Sequence, residues 1–140
     1  MPDPAAPGAV LWDLDGTLVD STHDLAAAGA VARAALDLPP LDAATVAGYV
    51  GDGLGVLLER LCPDADAAGL AVARTAFVAH YRDHCTDRTT VYDGMPEVLA
   101  AIHAAGVPQA VVSNKPQAFT EAILAHFRLD RYLTAIVGGD

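Results

Sequence analysis

The apolar run Ala9-Val10-Leu11-Trp12 passes without a break into Asp13-Leu14-Asp15-Gly16-Thr17. A short continuous apolar run that ends in a glycine turn reads as a buried strand of a parallel sheet. Parallel strands must be joined by crossovers, usually helical, so this run commits the chain to an α/β layout. The C-terminal third supplies the crossovers. Pro96-Glu97 opens a helix in the favoured N-terminal manner, with Val98, Leu99 and Ile102 facing inward and Gly106 closing it. Pro108 to Val112 is a second apolar strand, ending at Ser113-Asn114-Lys115. Pro116 starts another helix, with Phe119, Ile123 and Phe127 on one face. Ala135-Ile136-Val137 is a third strand, ending at Gly138-Gly139-Asp140. The expected fold class is α/β, a Rossmann-like parallel sheet of three strands.

Between the first strand and its partners the period is helical. Ser21 or Thr22 can cap a helix that runs through Leu25, Val31 and Leu36 and is stopped by Pro39-Pro40. A short helix near 42–49 follows, then the turn Gly51-Asp52-Gly53. Val56-Leu57-Leu58 with Leu61 forms a helix broken by Pro63. A longer one runs from about Asp66 to Cys85, with Leu70, Ala73, Phe77 and Tyr81 on one stripe. Residues 21–88 therefore read as four helices without a strand, inserted into a core made of residues 1–20 and 89–140. A chain of 140 residues suits one such core with a small insert.

Composition narrows the partners. At 53% hydrophobic and 19% charged residues, the chain can bury a core and is not disordered. A formal net charge of −10 argues against nucleic acid as a partner. The same charge repels phosphorylated small molecules, so phosphate chemistry here needs a metal ion, a lysine or a helix N-terminus. Cys62 and Cys85 form no CxxC pair and read as reduced thiols. The N-terminal MPDPAAPGAV lacks a basic region and a long apolar stretch, and no segment reaches a membrane span. The expectation is a cytoplasmic chain with no membrane partner.

Two carboxylates two positions apart at the C-terminal end of a parallel strand sit where ligands bind in such sheets. The full run Asp13-Leu14-Asp15-Gly16-Thr17-Leu18-Val19-Asp20-Ser21 resembles motif I of the haloacid dehalogenase superfamily of phosphohydrolases. Val111-Val112-Ser113-Asn114-Lys115-Pro116 is similar to its motif II. The helical cap after motif I, Tyr92-Asp93-Gly94, and Val137-Gly138-Gly139-Asp140 extend the likeness, which is nearest to the phosphoglycolate phosphatase group. The resemblance implies a partial core of this type, carrying a four-helix cap, that acts on a small phosphorylated substrate.

It also implies roles. Asp13 is the nucleophile that forms an aspartyl-phosphate, and Asp15 is the acid and base that protonates the leaving alkoxide and activates water. Mg²⁺ binds the Asp13 carboxylate and the Asp15 main-chain carbonyl. Ser113 donates to a phosphoryl oxygen, with Asn114 and Lys115 beside it, and the backbone N–H groups around Leu14, Gly16 and Thr17 form a cradle. The presence of Asp15 favours phosphoester over carbon–halogen cleavage, since a halide leaves without a proton. A β-phosphoglucomutase-like phosphotransferase keeps both acids and remains an alternative.

Two family motifs that follow the third strand, a lysine and a GDxxxD-like acid, are not in this sequence. Lys115, its only lysine, either contacts phosphate, substitutes for the absent one, or merely flanks motif II. A further alternative is a non-catalytic, truncated fragment that binds phosphate or a partner. The first strand is expected at a sheet edge, exposing a row of Val10 and Trp12 through which the chain can self-associate. Gly51 and Gly53 are either a substrate-selecting turn of the cap or an ordinary interhelix turn. His80 and His84 share a helix face with zinc-compatible spacing but no HExxH, and read as a solvated face.

Overall fold

The sequence passes from a continuous apolar run to helical spacing and back, and the chain follows it. A computed structural model describes residues 8–140. In chain order the elements are β1 (Val10–Trp12), β2 (Val19–Asp20), α1 (Thr22–Ala34), α2 (Ala43–Ala47), α3 (Leu54–Leu61), α4 (Ala67–His84), β3 (Thr90–Val91), α5 (Met95–Ala104), β4 (Gln109–Val112), α6 (Gln117–His126), a 3₁₀ turn (Asp130–Tyr132) and β5 (Ala135–Val137). The reading of the N-terminal segment as free of a signal peptide falls largely on residues 1–7, outside those described. No described helix is long and apolar enough to cross a membrane.

The sheet is parallel, in the order β1-β4-β5. Trp12 pairs with Val111, and Val111 with Ile136. β1 is an edge strand, as expected. The exposed row is not. Val10 and Trp12 are half-buried, whereas Leu11, Val112 and Val137 are 69, 46 and 50% exposed. The reason is the hand of the crossovers. The strands advance in one direction, so right-handed connections put α5 and α6 on one face. Gln109 marks that face: its amide nitrogen donates to the Leu99 carbonyl of α5 at 2.9 Å, and its oxygen accepts from Trp12 Nε1 at 3.0 Å. Residues of opposite parity point to the bare face. Val98, expected inward, is 39% exposed; Leu99 alone of its trio is fully buried.

The helical block packs α1 against α2 and α4, with α3 on α4. Asp42 and Asp66 cap α2 and α4 by accepting from Thr45 N and Gly69 N at 2.7 and 2.8 Å. Leu54, Leu57, Leu58 and Leu61 of α3 meet Ala73, Phe77 and Tyr81 of α4 in the same core as Leu14 and Ile123. Each of these leucine, isoleucine and phenylalanine side chains contributes roughly 1.5–3 kcal/mol by burial. Val31 departs from the expected stripe. The buried face of α1 is Leu25, Ala28 and Ala32, and Val31 is 37% exposed.

Two joints connect block and sheet. β2 and β3 pair antiparallel, Val19 with Val91 and Asp20 with Thr90. Beside this ribbon the buried Asp24 of α1 accepts from Arg88 N at 2.9 Å, from Thr89 N at 2.8 Å and from the Thr89 hydroxyl at 2.7 Å. One carboxylate thus ties both chain crossings together.

Candidate active site

β1 ends at Trp12, so Asp13 and Asp15 lie beyond it, in a tight turn rather than on one strand face. The buried Leu14 organises the turn: its carbonyl accepts from Thr17, Leu18 and Val19 N at 3.0–3.2 Å. Gly16 N donates to Val19 O at 2.9 Å from a left-handed φ of 79°, where a side chain would be strained. Leu14 N donates to Asp13 Oδ1 at 2.7 Å. The N–H groups of Leu14, Gly16 and Thr17, expected to cradle phosphate, therefore already have partners. Their bonds close the turn that presents the acids. Asp15 N has no hydrogen-bond partner among the described residues.

Asp15 is held at both oxygens. The Ser21 hydroxyl donates to Oδ1, and Lys115 Nζ lies 3.2 Å from Oδ2. Ser21, expected as a helix cap, makes no side-chain cap bond. Asp20 accepts from Thr22 N at 3.1 Å instead.

The end of β4 brings in the second group. Ser113 N donates to Val137 O at 2.9 Å, fixing the strand end. Ser113 Oγ accepts from Lys115 N at 3.2 Å, which leaves its hydroxyl proton free to donate. Gly139 N donates to Lys115 O at 2.9 Å, and a Cβ at 139 would collide with the Asn114 backbone. The glycine pair after β5 is thus needed for the close approach that shapes this loop.

The helical block roofs these groups. A cavity of about 50 Å³ is lined by Asp13, Asp15, Ser113 and Lys115 below and by Leu57 and Tyr81 above. That is room for roughly four water-sized spheres, which suits a phosphoryl group. The turn at the start of α3 reaches the loop after β4. Asn114 Nδ2 donates to Gly51 O at 2.8 Å, and the Cβ position at Gly53 lies 3.4 Å from Asn114 O. Gly51 and Gly53 have φ of 130 and 92°. So Asn114 bridges to the roof, while Gly51 and Gly53 border the cavity. His80 and His84 lie outside it. Their rings stack at 4.4 Å, and His84 Nδ1 is 2.7 Å from Asp87 Oδ2.

The donor set suits a hard divalent cation. Asp13 Oδ2 and the Asp15 carbonyl accept no hydrogen bond among the described residues, and both are oxygens. Mg²⁺ takes one or two protein oxygens together with waters and substrate phosphate. No group of three or more His, Cys, Asp or Glu gathers around a point among the described residues.

Sequence reasoning placed Tyr81 in the core and missed its polar end. Tyr81 is 1% exposed, and its hydroxyl accepts from Lys115 Nζ at 2.9 Å. Burial, and then the nearby Asp15, raise its phenol well above the ordinary value. A tyrosine on a stripe where phenylalanine would pack as well was the available signal.

Several proteins similar to this chain are phosphatases by name. A phosphoglycolate phosphatase of Chromobacterium violaceum is 40% identical over 137 residues, covering 94% of this chain and 62% of its own length. An N-acetylmuramic acid 6-phosphate phosphatase of Pseudomonas aeruginosa is 39% identical over 117 residues, covering 83 and 52%. A crystal structure described as a predicted phosphoglycolate phosphatase from Haemophilus somnus superposes with a TM-score of 0.90 at 29% identity, covering 95% of this chain and 63% of that one. The chain thus spans 52–63% of the length of these relatives. The family model for haloacid dehalogenase-like hydrolases matches residues 10–140, and the chain belongs to that family.

Proposed function

We propose that this chain carries the nucleophile and phosphate-binding loops of a Mg²⁺-dependent phosphatase that hydrolyses a small phosphate monoester, such as 2-phosphoglycolate. The convergence of Asp13, Asp15, Ser113 and Lys115 on one roofed cavity carries the reading. One oxygen of the Asp13 carboxylate attacks phosphorus and the ester P–O bond breaks. The leaving alkoxide takes a proton from Asp15. Water then attacks the aspartyl-phosphate and gives a proton to Asp15, which releases phosphate and restores Asp13. Ser113 donates its hydroxyl to a phosphoryl oxygen. Lys115 has three N–H donors, and the one left over from Tyr81 and Asp15 serves the same end. The Asp13 carboxylate and Asp15 carbonyl would hold Mg²⁺, which when bound neutralises charge on the phosphoryl oxygens.

In this reading residues 21–88 form a cap over a core of residues 1–20 and 89–140. The glycine turn at 51–53 and the N-terminus of α3 border the leaving group. Such an end favours an anionic group, so a carboxylate there suits phosphoglycolate. The buried free thiols support a reducing, cytoplasmic location. The exposed sheet face of Leu11, Val112 and Val137, together with the unpaired edge of β1, supports self-association.

Release of phosphate from p-nitrophenyl phosphate with Mg²⁺ tests the proposal, with Asp13→Asn as control. Turnover that depends on Asp13 is expected. Equal release by both chains would refute it, and no release by either would favour a fragment that only binds phosphate.

A further inference from the structure

The lysine of the cavity is fixed by a residue from the roof. We infer that Tyr81 is a positioning residue: from α4 it holds the Lys115 ammonium against Asp15. The catalytic meaning rests on the role proposed for Asp15; the geometry does not.

Lys115 Nζ donates to the Tyr81 hydroxyl oxygen at 2.9 Å, sits 4.8 Å from the centre of the Tyr81 ring, and lies 3.2 Å from Asp15 Oδ2. The Lys115 side chain is 4% exposed, so the ammonium is held almost wholly by these groups. A four-carbon stem has many rotamers, and a single ion pair at 3.2 Å leaves several open. A second anchor, the Tyr81 hydroxyl on α4, removes most of them. The phenol itself cannot wander. Its ring meets Phe77 of the cap at 5.5 Å and the edge of Phe119 in the core at 4.9 Å and 83°. Tyr81 is therefore wedged at the seam of the two layers, with its oxygen aimed at the lysine.

The consequence is a link between α4 and the acid/base geometry. Asp15 Oδ1 is braced by Ser21, next to the ribbon joint, while Oδ2 faces an ammonium whose other anchor belongs to the cap. Without the Tyr81 hydroxyl, Lys115 loses one partner, and both Asp15 and a bound phosphoryl group face a less restrained ammonium.

Because Lys115 is the only lysine, ¹⁵N-lysine labelling places one side-chain ammonium signal in the ¹H–¹⁵N spectrum. Ammonium protons give such a signal only when hydrogen bonds slow their exchange with water. The native chain is expected to show it, together with a cross-relaxation peak between the ammonium and the Tyr81 ring. Tyr81→Phe keeps the ring and removes the oxygen. It is expected to raise ammonium exchange about tenfold or erase the signal, with the backbone amide spectrum otherwise unchanged. Asn114→Ala cuts the neighbouring bond to Gly51 and should leave the signal in place. The inference fails if the native chain lacks the signal or the cross-peak, if Tyr81→Phe leaves exchange unchanged, or if Asn114→Ala abolishes the signal equally. The native cross-peak decides the matter even if Tyr81→Phe does not fold. None of these readouts needs turnover, so an inactive Asp13 would leave them standing.

Discussion

Replacing Asp24 by alanine should be among the most damaging single changes outside the cavity. The carboxylate accepts from two backbone N–H groups and one hydroxyl at 2.7–2.9 Å, at a residue only 3% exposed. The three donors fare differently once it is gone. The Thr89 hydroxyl can turn to Cys85 O, already 3.0 Å away. Arg88 is exposed, so its N–H can reach water. Thr89 N–H, in a residue 5% exposed, is left without a partner. Losing the charged hydrogen bonds and burying one orphan donor sums to roughly 3–5 kcal/mol. Asp24→Asn keeps one accepting oxygen and should lose about half of that. Urea unfolding followed by far-UV circular dichroism reads both. With a slope of about 1–3 kcal/mol per molar urea, the alanine midpoint should fall by at least about 1 M. A loss below about 1 kcal/mol, with an unchanged slope, would refute the idea that this carboxylate ties the two crossings.

Other consequences follow from named groups. Because burial raises the Tyr81 phenol well above its ordinary value, folding favours its protonated form; that stability is complete below about pH 10 and declines as pH rises through the folded value. Absorbance titration near 295 nm should show one of the four tyrosines ionising only with alkaline unfolding, and Tyr81→Phe should remove that phase. Burial also raises both thiols, Cys62 and Cys85, so a disulfide reagent should label neither in the folded chain within minutes and both in denaturant. Asp15→Asn should lower phosphate release by about 10²–10⁴-fold while Ser113, Lys115 and the phosphate site persist; release within threefold of the parent would remove Asp15 from proton transfer.

Much of the architecture was legible because long-range periodicity carries it. The strands at 10–12, 109–112 and 135–137 and the helices between them follow from apolar spacing and from punctuation by Pro39, Pro63, Pro96 and Pro116. The ribbon of Val19–Asp20 with Thr90–Val91 was not legible, since two residues show no period. Which face of β1 lies bare depends on the side taken by two crossovers, and Leu11 has the same hydrophobicity either way. At the site, Asp13 and Asp15 stood out as paired acids at a strand end, and their roles, with Ser113 and Lys115, came from the resemblance of their segments to motifs I and II. The partners of the Leu14, Gly16 and Thr17 amides did not, because a turn's internal bonds depend on backbone angles that residue names only constrain. Tyr81 and Ser21 were read as core and cap, and each also has a polar atom aimed at the lysine–aspartate pair.

The nucleophilic role of Asp13 is tested most directly by capture of a phosphoryl mimic. Beryllium fluoride in magnesium buffer, followed by ¹⁹F NMR, should give a carboxylate-bound signal with the 140-residue chain and none with Asp13→Asn. A chain whose spectrum shows only free fluoride species, or whose signal survives that substitution, would contradict the assignment.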